Sequence, residues 1–208
     1  MKKENDDVGK KGILRQKILA AARKLFNEKG YNEVSMRDIS DSLGISVGNL
    51  TYHFKKKENL VEAVVLARHE NYQRPEAPKT LEELNDCFRG VLRHQEDNIY
   101  YSRHYKQLSQ ISEKIYRIQK HVLDDLHDIL EEAFGNLRQS GMMVPDMIPA
   151  QGEYLTQTIL SICAYGTVLG GVNPLACIWS LIYPTLTEAG RSIYHSKIRT
   201  FLISNMSL

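Results

Sequence analysis

Apolar residues recur at intervals of three and four along nearly the whole chain, and no run alternates like a half-buried strand. Leu14, Ile18, Ala22, Leu25 and Phe26 form a first stripe, and Gly30 supplies a left-handed stop for that helix. Ser35 reads as an N-cap with Asp38 three residues on, a shortened capping box. The helix they start is brief, because Leu43-Gly44-Ile45 must turn within two residues. Ser46 then caps a third helix carrying Val47 to Phe54, and after Lys55-Lys56-Lys57 a fourth places Leu60, Ala63, Val64 and Ala67 on one face. Pro75 and Pro78 break the pattern over 74–80, a linker or sharp corner. Leu81, Leu84, Phe88, Val91, Leu92 and Ile99 make the next stripe. A long helix follows from about 112 to 141, with Ile115, Ile118, Val122, Leu126, Ile129, Ala133 and Leu137 in step. After a loop over 141–149, two more helices are predicted near 152–169 and 174–195, separated by Gly170-Gly171-Val172-Asn173-Pro174. The prediction is an all-α protein of eight or nine helices.

The segment from Ser35 to Phe54 carries the chemistry. Two short capped helices joined by a glycine turn have the outline of a helix-turn-helix, in which the second helix enters the major groove of DNA. Ile39, Leu43, Ile45, Leu50 and Phe54 point inward and fix the angle between the helices. Val47, Gly48, Asn49, Thr51, Tyr52 and His53 are left facing outward. Gly48 lets a duplex approach the backbone closely, Asn49 and Thr51 can bond base edges or phosphates, and Tyr52 offers ring carbons to a thymine methyl. The amides around Ser46 to Gly48 suit a phosphate, and Lys55, Lys56 and Lys57 lie where the sugar-phosphate rail would run. The competing reading is a short solvated helix with no partner.

Charge favours the first reading weakly. Residues 1–60 hold 13 Lys/Arg against 8 Asp/Glu, while 61–208 hold 14 against 17, so a basic first third sits on an acidic remainder. With 42% hydrophobic and 25% charged residues, the 208-residue chain can bury a core without a metal or disulfide staple. The apolar stretch from Ile159 to Val172 is too short and interrupted to span a bilayer, and the first residues lack the apolar centre of a signal peptide. Cys87, Cys163 and Cys177 show no C-x-x-C spacing, so reduced cysteines in a cytoplasmic protein are expected, with no metal and no cofactor.

The run Ile18-Leu19-Ala20-Ala21-Ala22-Arg23-Lys24-Leu25-Phe26-Asn27-Glu28-Lys29-Gly30-Tyr31 resembles the first helix of the tetracycline-repressor (TetR) family of bacterial transcription regulators. So do Val34-Ser35-Met36-Arg37-Asp38-Ile39, the stretch Leu43 to Phe54, and Lys57-Glu58-Asn59-Leu60, in the family's order and spacing over about a quarter of the chain. The resemblance implies a three-helix helix-turn-helix DNA-binding domain over 1–57, with 1–11 a flexible tail, and a helical ligand-binding and dimerisation domain over 58–208. It implies that Arg37 and Ser46 hold phosphates, that Val47, Gly48 and Tyr52 read bases, and that His53 and Lys57 touch the backbone. Thr51 stands where the family usually has tyrosine, which puts one phosphate contact in doubt, and Ser40 stands where alanine is usual.

The resemblance also implies that the C-terminal helices pair across a two-fold axis. Leu155, Ile159, Ile162, Ile178, Trp179, Ile182 and Leu186 exceed what one narrow buried stripe needs, so they are expected at a homodimer interface or wholly internal. A dimer could set two heads one helical turn, about 34 Å, apart on a palindromic operator. An effector pocket in the body would draw on Tyr100, Tyr101, Tyr105, Leu108, Tyr116 and Gln119, and the helix from Glu58 to about Tyr72 would carry its signal. Repression is the family's commoner habit. An enzyme is disfavoured, since no G-x-S-x-G, phosphate loop, H-E-x-x-H or C-x-x-C occurs, and Asp124, Asp125, Asp128, Glu131 and Glu132 read as a solvated helix face. A helical adaptor without DNA binding is the remaining alternative.

Overall fold

The first helix, α1, spans Lys2–Lys29 and begins inside the segment expected as a tail. Ile18, Ala22 and Phe26 are fully buried along one face, and the chain leaves the helix through Gly30 at φ 87°, whose N–H donates to Phe26 O at 2.9 Å. The computed structural model describes residues 2–70, 72–169, 171 and 173–200. No β-strand occurs among them, only an isolated bridge between Met143 and Leu186.

After α1 come α2 (Met36–Leu43), α3 (Val47–His53) and α4 (Lys57–His69). The buried face of α4 is Leu60, Val61, Val64 and Val65, while Ala63 is half-buried and Ala67 exposed, so the predicted stripe is rotated by one position. The next helices are α5 (Leu81–Glu96), the five-residue α6 (Ile99–Arg103) and α7 (Tyr105–Ser109), then α8 (Glu113–Gln139). Two such short helices lack the length to show a period. The chain ends with α9 (Gln151–Leu169), α10 (Pro174–Ile182), a 3₁₀ turn over Tyr183–Thr185, α11 (Glu188–Ile193) and a π-helical turn over Tyr194–Ile198. The single helix expected over 174–195 is therefore broken, since Pro184 cannot donate to the ladder and Thr187 starts a new helix by accepting from Gly190 N–H.

The chain forms two compact units. One comprises Met1–Tyr72 with Arg103–Gln119, and the other Gln73–Ser102 with Lys120–Leu208. In the first, α1 packs on α2 and α4, and α2 on α3. Asn32 Oδ1 accepts from Gln107 Nε2 at 2.8 Å, and the His104 ring stands edge-on to Tyr31, so residues 103–119 are integral to this unit. In the second, α9 packs on α5 and α10 over a core that includes Leu84, Phe88, Phe134, Ile159 and Trp179. The corner over 74–80 is tied down, with Asn136 Nδ2 donating to Pro78 O and Thr80 capping α5. The loop over 141–149 is tied down as well. Val144 N–H donates to Thr185 O, and Arg138 holds Asp146 at 2.6 Å. Cys87, Cys163 and Cys177 are unbridged, and burial pushes the Cys163 thiol up to about 12.

Candidate nucleic-acid interface

The two short helices near the amino end are held by local chemistry. The Ser35 hydroxyl accepts from Asp38 N–H at 3.1 Å while Asp38 Oδ2 accepts from Ser35 N–H at 2.7 Å, completing the capping box. The Asp38 carboxyl is held below its ordinary range, chiefly by the hydrogen bond from the Ser35 hydroxyl and then by that from its N–H. Gly44 ends α2 in the left-handed region at φ 64°. Its N–H donates to Asp41 O and Ile45 N–H to Ser40 O, the paired bonds of a Schellman motif. Ser46 then starts α3 by accepting from Asn49 N–H at 3.1 Å. Ile39, Leu50 and Phe54 are buried as expected, and Leu43 and Ile45 are half-buried. A rigid angle between α2 and α3 follows from these contacts.

That frame leaves an outward face on α3. Val47, Gly48 and Asn49 are exposed, and Tyr52 is 71% exposed with its ring edge-on to half-buried His53. A Cβ on Gly48 would meet only the Ser46 hydroxyl, at 3.8 Å, so the protein's own packing leaves room for one. Thr51 is half-buried and donates its hydroxyl to Gly48 O at 3.0 Å, so it faces its own helix in the position where tyrosine is usual. Ser40 is fully buried, and donation to Arg37 O at 2.9 Å satisfies its hydroxyl, which explains why it is tolerated in place of alanine. Arg37 is exposed and only loosely paired with Asp41 at 4.0 Å. Lys55 and Lys56 are exposed beyond α3.

Lys57, expected on the DNA backbone, also has partners within the protein. Its ammonium lies 4.3 Å from the Tyr31 ring centroid and donates to Asn32 O at 3.3 Å, bracing the α1–α2 turn against α4. Burial pulls its pKa down, against the opposing pull of Glu58, Glu33 and Asp38. Two cations of α1 that sequence reading missed also lie beside α3. Lys11 Nζ lies 6.0 Å from the Tyr52 ring, and the Arg15 guanidinium 5.3 Å from the Phe54 ring. The signal available in the sequence is that residues 8–27 contain no carboxylate.

The remaining candidates fall into the two units separately. Tyr100 and Tyr101 are buried in the second unit, where their rings meet edge-on. Tyr105, Leu108, Tyr116 and Gln119 belong to the first, with Leu108 and Gln119 buried, Tyr105 half-buried and Tyr116 exposed. Gln119 Nε2 donates to Tyr105 O at 3.2 Å, while its buried Oε1 has no hydrogen-bond partner. Of the residues expected at a dimer interface, Ile159, Ile178, Trp179, Ile182 and Leu186 lie in the chain's own core and offer no surface to a second copy. Trp179 even satisfies its indole N–H internally, on Asn85 Oδ1 at 3.0 Å. Leu155 and Ile162 remain half-buried on α9. Among the described residues no His/Cys/Asp/Glu group could hold a metal, and no helix is long and apolar enough to cross a membrane.

Comparison with known proteins addresses the same segment. Residues 18–64 match the family described as bacterial regulatory proteins, tetR family. The HTH-type transcriptional regulator UidR of Escherichia coli K12 is 45% identical over 56 residues, covering 27% of this chain and 29% of that protein. The matched segment thus spans less than a third of that relative's own length. A TetR-family regulator from Marinobacter aquaeolei VT8 shares the fold with TM-score 0.72 at 20% identity, over 86% of this chain and 93% of the other. A transcriptional regulator from Saccharomonospora viridis, solved in complex with choline, aligns with TM-score 0.64 at 17% identity over 85% and 99%. The capped helix pair thus lies inside a head segment that matches the tetR family of bacterial regulatory proteins, and the chain as a whole shares the all-helical fold of these solved structures.

Proposed function

We propose that the protein is a repressor that binds a palindromic operator as a homodimer and is released by a small-molecule effector. The observation that carries the DNA reading is the outward face of α3. Two caps and a left-handed glycine hold it at a fixed angle, it bears Val47, Gly48, Asn49 and Tyr52, and no carboxylate occurs from residue 42 to 57. Seated in a major groove, Tyr52 and Val47 supply apolar contact to thymine methyls and Asn49 bonds base edges. Ser46, Arg37, Lys55 and the nearby amides bind phosphates. His53 lies at the edge of the same face, and Thr51, turned inward, contributes at most through water.

Dimerisation rests on α9. Tyr154 (66% exposed), Thr158, Ser161 and Tyr165 follow one another at helical spacing on its exposed side, flanked by Leu155 and Ile162. Two copies facing across this stripe would double the head for a two-fold operator. The effector reading has its support at Gln119, whose buried amide oxygen is ready to accept a hydrogen bond from a ligand while its Nε2 donates to Tyr105 O. An effector lowers operator affinity only by the difference between its affinities for the two conformations.

Selection from a random pool of duplexes with the purified full chain tests the reading. We expect an inverted repeat with half-sites about one helical turn apart. Recovery of no enriched sequence would overturn the DNA reading, and a lone half-site bound by a monomer would overturn the dimer.

A further inference from the structure

The first helix presents cations beside the edge of the recognition helix. Lys11 and Arg15 are four residues apart, hence on one face of α1, and both are exposed. The Lys11 ammonium is 6.0 Å from the Tyr52 ring and the Arg15 guanidinium 5.3 Å from the Phe54 ring, so the pair lies along the C-terminal end of α3. Phe54 is itself buried and closes α3 by donating its N–H to Leu50 O. The stacking surface under Arg15 is therefore fixed to the same frame that aims Tyr52. No carboxylate lies within four residues of Arg15 on either side in the sequence, whereas Lys24 at the other end of α1 has Glu28 at 3.9 Å.

We propose that Lys11 and Arg15 hold backbone phosphates at the rim of the half-site, a sequence-independent contact that α1 adds to the one made by α3. The proposal rests on the DNA-binding reading and extends it to a second element. A major groove is about 12 Å wide. With α3 seated in it, cations 5–6 Å from the aromatic rings at the end of α3 meet the phosphate wall and not the base edges. A guanidinium 5.3 Å from the Phe54 ring centroid meets an apolar partner that takes none of its N–H donors, which leaves them available for a bidentate phosphate contact. Lys11 acts as a point charge beside Tyr52 and restrains that ring by cation–π attraction.

The test compares the full-length wild type with R15Q, R15K and K11Q, after melting curves confirm the fold. Binding is measured over a salt series on the duplex enriched by selection, on a scrambled duplex, and on the enriched motif trimmed of its flanks. Removing one phosphate neutralisation makes the slope of log affinity against log salt less steep by about 0.9 per subunit. We expect R15Q and K11Q to show that change, to weaken enriched and scrambled duplexes alike, and to leave the selected sequence unchanged. We expect R15K to recover most of the slope. Trimming the flanks should cost the wild type more affinity than it costs K11Q. Should R15Q weaken binding at unchanged slope, Arg15 only supports Phe54 and the proposal is overturned for it, with K11Q deciding the remainder. Wild-type slopes in both glutamine variants overturn the proposal while the DNA reading stands. A wild type that binds no duplex overturns both.

Discussion

At Gly48 a Cβ would touch nothing nearer than the Ser46 hydroxyl at 3.8 Å, and the glycine lies inside a helix with ordinary negative φ. Alanine there should raise stability, by up to about 0.5–1 kcal/mol, because it removes backbone freedom from the unfolded chain. The same methyl would stand between α3 and the floor of the groove. G48A is therefore expected to melt no lower than the wild type while binding the enriched duplex roughly tenfold or more weakly, about the cost of one mismatched base pair. A variant that melts higher and binds equally well would show that nothing approaches this backbone. Lys57 has contacts that spacing alone does not show, since the Tyr31 ring and the Asn32 carbonyl both lie within its reach. Asn32 stands 25 residues before it, and no local pattern could have announced that meeting.

The α2–turn–α3 element was the most legible part of the chain. Its boundaries are set by Ser35, Asp38, Gly44 and Ser46, and the physics of caps and left-handed turns is local to a few residues. The capping box also gives the element a pH signature. The ionised Asp38 is the form that accepts from Ser35, so its carboxyl titrates lower in the folded protein than in the unfolded chain. Its contribution is fully present above the unfolded carboxylate's range and disappears as pH falls through the folded value. D38N should melt below the wild type at neutral pH, and the two melting temperatures should converge in acid. A gap that stays constant across the acid range would remove Asp38 from the account of this cap. Elsewhere the pattern of apolar positions failed at breaks in the backbone. The helix drawn through Pro184 is in fact α10, a 3₁₀ turn, α11 and the start of a π-helical turn, and α6 and α7 are too brief to show a period.

At the scale of the whole molecule, the all-helical class was legible, whereas the compact units do not follow the expected boundary at residue 57, because residues 103–119 join the first unit. Which apolar face meets which partner was not legible. Ile159, Ile178, Trp179, Ile182 and Leu186 had the right character for an interface, yet the chain covers them itself. The indole of Trp179 finds its acceptor on Asn85, 94 residues away, and a surplus of apolar surface carries no mark of whether the cover is one's own. What survives at the surface of α9 is a mixed stripe centred on Tyr154 and Tyr165. The central claim is narrower than any of this: the exposed face of α3 reads base pairs. The most direct test repeats the random-duplex selection with the wild type and Tyr52→Ala side by side. Because Tyr52 is 71% exposed, the substitution should leave folding within about 0.5 kcal/mol of the wild type. The account predicts an inverted repeat for the wild type and the same repeat with one position per half-site blurred for the variant. Identical motifs from both chains, or none from either, would contradict it.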